Sequence, residues 1–535
     1  MRLVKIVLPF LLALPLLAQH SHDTAPAATP PPIEMHDGLS DHHWVVTTSN
    51  ADAQRFFDQG MRYTYAFNHE MAVRSFRRAT ELDPELAMGY WGIAYALGPN
   101  INLDVDPERE KQAYDAVQTA LAHLGNASAR ERDLVNALAK RYSNDPAADL
   151  RALAVEFSNA MGELSRRYPD DLDITTLYAE SMMDLRPWKL WTNDGKPAEG
   201  TEQIVQLLES VLKRDPKHLG ANHYYIHAVE ASRQPGRAIA SAQRLHTLAP
   251  AAGHLVHMPA HILQRTGDYA GAARANENGA RADREFMQRF GNEGIYPLMY
   301  YNHNLGFGST SYAMEGSYAE SKRMADELSQ NAAKIVEMMP MAEGVVIAPV
   351  LVQLRFGRWT DVIRAPLPQG AGPLATSLWH FVRGVAFARV GNVLGAQSEQ
   401  KSFESFRAKV PDENGMYLNS QQRIAEVAAQ VLKGRIAEAA GDVDTAVAAY
   451  EQAVKSEDAL SYNEPSDWFY PVRETLGASL LRAGRKTEAA KVFEEELERN
   501  PNNPRALWGL AQARGKRSAE HQRRWKGTPL TLAVF

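Results

Sequence analysis

The feature that most constrains this chain is a recurring skeleton of small, aromatic, alanine and proline residues. Gly60, Tyr63, Ala72, Phe76, Ala79 and Pro84 follow one another at offsets of 3, 9, 4, 3 and 5. The skeleton returns near the C-terminus as Gly477, Leu480, Gly484, Ala489, Phe493 and Pro501. Weaker copies centre on Gly384, Gly391 and Ala396, and on Gly441, Ala446, Tyr450 and Ala453. Small residues let two helices cross closely, an aromatic fills the adjacent turn, and proline ends the second helix. The spacing therefore predicts stacked pairs of antiparallel helices.

Against this background, the segment from His223 to His303 stands out. It contains "HYYIHAVE" (His223, His227, Glu230), "HLVHMPAH" (His254, His257, His261) and "YYNHN" (His303). The first cluster is spaced i, i+4, i+7 and the second i, i+3, i+7, so each falls on one stripe of a helix. Pro259 interrupts the second cluster. A proline there kinks the helix or becomes the first residue of a new one, leaving His254 and His257 on the segment leading into it.

The repeats resemble the tetratricopeptide repeat (TPR) family over most of residues 53–515. The resemblance implies an all-α fold, a superhelical solenoid of helix-turn-helix units with a concave groove. With Ala238 and Pro250 at repeat positions 20 and 32, one repeat starts at Leu219 and the next at Gly253; a later one, anchored on Gly316, starts at Asn302. In TPR proteins, positions 2, 5, 9 and 12 of the first helix line the groove. His223, His227 and Glu230 then occupy 5, 9 and 12, His254, His257 and His261 occupy 2, 5 and 9, and His303 occupies 2. Glu180 takes position 9 of the preceding repeat. An insertion after it, "RPWKLWTNDGKPAEGTE", brings Trp188 and Trp191 as a roof for the groove, and long loops of this kind are commonly functional. Tyr224 is a further groove-lining candidate for acid–base work.

Imidazoles at i, i+4 on one helix can share a divalent transition metal such as Zn, Fe or Cu at about 2.0–2.1 Å. Facing helices about 8–10 Å apart bring further ligands within reach. Six histidines and Glu230 exceed the needs of one four-coordinate ion, which implies two ions or a supporting role for some residues. Hydrolytic and oxidative chemistry on a small molecule or peptide both suit such a site. So does a non-catalytic scaffold whose histidines are structural or contact a protein partner. Isolated histidines (His69, His123, His246, His380, His521) are expected to serve ordinary hydrogen-bonding or capping roles.

The remaining organisation frames this site. Arg2 and Lys5 followed by "IVLPFLLALPLLA" read as a signal peptide over 1–18, so the protein is expected to be exported, periplasmic or secreted. Its loss takes the formal charge from −6 to −8, which argues against nucleic-acid binding. No other apolar run is long enough to span a membrane. The chain has no cysteine, so a soft-metal site must use histidine, methionine and carboxylates. Residues 19–52 form a Pro/Ala-rich tether and N-terminal arm, in which His20 and His22 read as solvated. Residues 53–365 hold the His-rich solenoid, 366–515 further repeats and a cap, and 516–535 a tail. "PLPQGAGP" marks the break between the two arrays, and the second array shows no comparable ligand cluster.

Overall fold

The helix pairs grow directly out of the skeleton. The computed structural model describes residues 33–292, 294–412, 418–516, 525–527 and 529–531. The signal-like run, most of the tether with His20 and His22, and His521 lie outside the described residues. Helices run from Ala51–Tyr65 to Pro504–Ala513, and among the described residues there are no strands, only two isolated bridges. In the first repeat, a side chain added at Gly60 of helix Ala51–Tyr65 would meet the Phe76 ring at 2.4 Å. One added at Gly92 in helix Ala87–Leu97 would meet the same ring at 2.5 Å. Phe76 is thus clamped between two glycine-bearing helices. Phe493 sits in the same way between Gly477 and Gly509, and Tyr450 rests on Gly434. This is why the small–aromatic spacing recurs in these repeats: each of them buries one ring against bare backbone.

The turns inside the repeats have their own local chemistry. Gly267 (φ +82°) ends helix Pro259–Thr266 in the left-handed region, where a Cβ is strained. Asp268 then caps helix Tyr269–Phe290 by accepting the Gly271 N–H. Gly441 and Asp442 repeat this arrangement before helix Val443–Asp458. The expected repeat starts coincide with helix starts: Leu219–Glu230, Gly253–His257 and Asn302–Glu315.

From Met35 onward the chain forms one compact unit, and 365–372 is a loop within it. The C-terminal repeats do more than extend the array, because they fold back onto its middle. Tyr269 donates its hydroxyl to the Pro501 carbonyl at 2.9 Å, and Asn193 of the insertion donates to the carbonyls of Asp458 and Leu460. A Cβ at Gly267 would stand 2.1 Å from the Pro501 oxygen. Arg355 and Arg505 grip the buried carboxylate of Glu474, joining three helices. In the tail, Trp525 docks on Phe356, and the Lys526 N–H donates to the Glu315 carbonyl. At the other end, the arm is tied down by His36 on Tyr63 and His43 on Asp58.

Two outcomes test this packing. Gly267→Ala combines a left-handed backbone with a clash at the closure, and should cost about 2–4 kcal/mol in urea unfolding; a shift under about 0.5 kcal/mol would contradict the contact. Glu496 is buried beside Glu474 and Glu457, and burial together with those charges pushes its carboxyl up to about 8. Its folded state holds the proton more tightly than the unfolded chain, so its contribution is complete below about pH 4.5 and is lost as pH rises through 8. The wild type should lose about 1–3 kcal/mol more than Glu496→Gln between pH 5 and 9.

Candidate metal centre

The seven sequence-marked residues converge on one buried cluster. His223 and His227 project from helix Leu219–Glu230, His254 and His257 from Gly253–His257, His261 from Pro259–Thr266, and His303 from Asn302–Glu315. Pro259 does begin a new helix, but Met258 before it keeps a helical conformation, so His254 and His257 lie on a short helix of their own and not on a loop. Close backbone approach makes room for them. Added side chains would meet Asp283 Oδ1 at 1.9 Å from Gly253 and His257 Cβ at 2.7 Å from Gly279. The long helix Tyr269–Phe290 can therefore press directly on the histidine helix.

The hydrogen bonds behind the rings fix which nitrogen carries the proton. His223 Nδ1 donates to the Tyr65 carbonyl at 2.7 Å, and His227 Nδ1 to Glu230 Oε1 at 2.7 Å. His261 Nδ1 donates to Glu230 Oε2 at 2.5 Å. His257 Nδ1 donates to Asn276 Oδ1 at 3.1 Å, and the Asn276 amide is oriented for this because its nitrogen donates to the Ala272 carbonyl. In four rings the proton thus sits at Nδ1, leaving Nε2 as a lone pair turned inward. His257 Nε2 is 3.2 Å from His261 Nε2, and His223 Nε2 is 3.0 Å from Nε2 of His254, whose unpartnered Nδ1 leaves its proton free to sit at Nε2 and donate to His223. His227 Nε2 is buried without a partner. Two imidazoles that both hold their proton at Nδ1 cannot hydrogen-bond through Nε2. With both rings neutral the His257–His261 pair presents two lone pairs to a cation; a protonated His261, favoured by Glu230, donates from Nε2 to His257 instead.

Three groups of three ligand atoms result in the cluster, His223–His227–His254, His257–His261–His303 and His227–Glu230–His261, the atoms of each lying within 4.8 Å of one another. Burial holds the rings of His223, His254 and His257 well below the ordinary imidazole pKa, and His303 is lowered to about 3. They are neutral at physiological pH, the form that ligates metals. Burial also opposes charge on His261, but the Glu230 carboxylate beside it leaves its pKa raised. Glu230 itself is desolvated, yet His261 and His227 hold it well below the carboxylate range. Its two oxygens face the Nδ1 side of the rings, so it orients two imidazoles from behind.

The other sequence candidates separate. Trp188 lines the cavity beside the cluster and stands edge-on to His227, with centroids 5.8 Å apart. Glu180 and Tyr224, expected to line the groove, are packed away from the cavity. Glu180 accepts from the Tyr95 hydroxyl, and Tyr224 lies between Tyr65, Phe67 and the His223 ring. Interhelical burial claims both, a consequence of helix neighbours that repeat position alone does not specify. His123, His246 and His380 lie elsewhere, and His69 donates to or accepts from no cluster residue, its Nδ1 facing the Ala96 carbonyl.

Several contributors carry no sequence signal of their own. Phe67 (φ +55°) takes the left-handed turn position where other repeats use glycine, and its ring packs on His223, His227 and His254. Loop 459–471 reaches back from the C-terminal repeats, where Tyr462 donates to Glu230 Oε2 at 3.2 Å and to Glu464. Glu464 lines the cavity near His261, and burial pushes its carboxyl up to about 7. A separate buried group, His42, Asp173 and His218, is of a different kind. His218 Nδ1 accepts the Ala221 N–H, so a ring proton sits at Nε2, 3.5 Å from Asp173. The Tyr65 hydroxyl donates to the same carboxylate, and His42 Nε2 lies 3.0 Å from it. This carboxylate gathers donors, whereas the main cluster gathers lone pairs.

Glu230→Gln places an amide N–H against one imidazole N–H inside a dry site. It should cost about 2–4 kcal/mol in unfolding of the metal-free protein; unchanged stability would contradict the assigned protons.

The tetratricopeptide repeat family profile matches residues 427–459. No curated protein sequence matches the chain. Similar solved structures include the APC/C hetero-tetramer Cut9–Hcn1 (13% identical, 86% of this chain and 76% of that one, TM-score 0.31). They also include a human IFIT1 dimer with m7Gppp-AAAA (14%, 90% of each chain, TM-score 0.32) and yeast Tom70 (12%, 88% and 96%, TM-score 0.29). With its stacked helix pairs and the matched repeat, the chain is an all-α, TPR-type solenoid.

Proposed function

We propose that the protein is an exported metalloprotein holding two divalent transition-metal ions, one in each histidine triad, for chemistry on a small molecule in the adjoining cavity. The carrying observation is the set of inward Nε2 lone pairs whose opposite nitrogens are already committed to acceptors, as metal-binding histidines are. All-imidazole ligation without thiolate suits zinc, copper or iron. His227, His254, His261 and His303 all line a cavity of about 1140 Å³, so each triad has an open side. A bound ion there supplies Lewis acidity, or redox capacity if it is copper or iron.

The chain's own residues divide the remaining work. Glu230 and Asn276 hold three rings in register, and the Tyr65 carbonyl holds a fourth. Trp188 walls the site next to His227. Glu464 at about 7 and Asp184 at about 6, both raised by burial, are cavity carboxyls able to take up or release a proton near neutrality. Export follows from the basic and apolar N-terminal run.

Elemental analysis of full-length protein prepared without chelator tests the reading. About two ions per chain are expected, falling to about one in His223→Ala/His254→Ala and to about one in His257→Ala/His303→Ala. A folded wild type that retains no zinc, copper or iron after loading and dialysis would defeat it.

A further inference from the structure

The cavity beside the histidines is lined by stretches of chain that differ in charge. Among the described residues between Leu298 and Ile424 its lining contains no Asp, Glu, Lys or Arg. Leu328, Ile335, Met339, Leu351, Leu374 and Leu378 face the space there. The charged lining residues among those described, including Glu110, Arg141, Asp184 and Arg186, all come from residues 104–189 or from loop 463–469. His227, His254, His261 and His303 line the same cavity. Helix Asn302–Glu315 places His303 on the cluster and Gly306 one turn further along. A Cβ at Gly306 would touch only Leu328, at 3.4 Å, so the space beside His303 is open.

An apolar wall lining a chamber of this size is stabilised when an apolar surface covers it. A peptide fits poorly. Its amides need hydrogen-bond partners, and this wall offers few beyond Asn302, Ser309 and Thr310. The volume also exceeds the roughly 300–1,000 Å³ typical of sites for drug-sized molecules. We infer that the cavity takes a non-peptide molecule with an extended apolar body, which lies along the 298–424 wall and presents its reacting group to the histidines. This rests on the metal reading for the reacting end only.

The test uses full-length, ion-loaded protein and the neutral apolar fluorophore 1-aminoanthracene. Saturable binding in the micromolar range is expected. Gly306→Phe should fill the chamber and weaken binding about tenfold or more while keeping the ions and the helix content. Leu351→Lys, which puts a charge on the same wall, should weaken it similarly. Ion-loaded protein that binds no probe, or probe affinity unchanged in both variants, would overturn the apolar chamber. Probe binding that persists in protein found to hold no ions would uphold the chamber and remove the metal reading alone.

Discussion

One buried carboxylate, Glu230, ties together parts of the chain that are far apart in sequence. It accepts from His227 on its own helix, from His261 on the next repeat, and from Tyr462 in a loop of the C-terminal repeats. Its backbone carbonyl accepts from Arg265, whose guanidinium also reaches the Arg499 carbonyl. Burying a charged carboxylate costs several kcal/mol unless donors surround it, and here they do. The same geometry turns Nε2 of His227 and His261 toward the inside of the cluster. In the proposed metal-bound state, ion binding and stability of the central repeats would be coupled.

Irregular backbone gathers around this point. Phe67 and Trp188 are bulky residues in the left-handed region, and both touch cluster histidines. A π-helical turn at Pro297–Tyr301 leads into His303, and the Pro259 break separates His257 from His261. Each costs conformational energy that regular repeats elsewhere avoid. In the outer repeats, glycine and an Asp or Asn cap do the turning without strain.

The helical repeats were legible because each ring needs a bare backbone to rest on, which fixes glycine–aromatic spacing. The histidine stripes were legible because helical periodicity alone aligns them. The role of Glu230 was less so: spacing places it with the ligands, while only the ring orientations reveal that it faces Nδ1. Tyr462 and Glu464 were invisible for a different reason. Their arrival depends on the closure of the array through Gly267, Tyr269 and Pro501, a contact spanning more than 230 positions. Glu180 shows the converse, since its groove-facing repeat position was overridden by burial between neighbouring helices.

The two proposed ion positions can be read directly in a crystal. Anomalous diffraction from crystals of ion-loaded protein, collected at the metal edge, would show them. Two peaks are expected, one about 2.0–2.1 Å from the Nε2 atoms of His223, His227 and His254 and the other equally close to those of His257, His261 and His303. A single peak, a peak at His42–Asp173–His218, or no peak in the cluster would contradict the proposal.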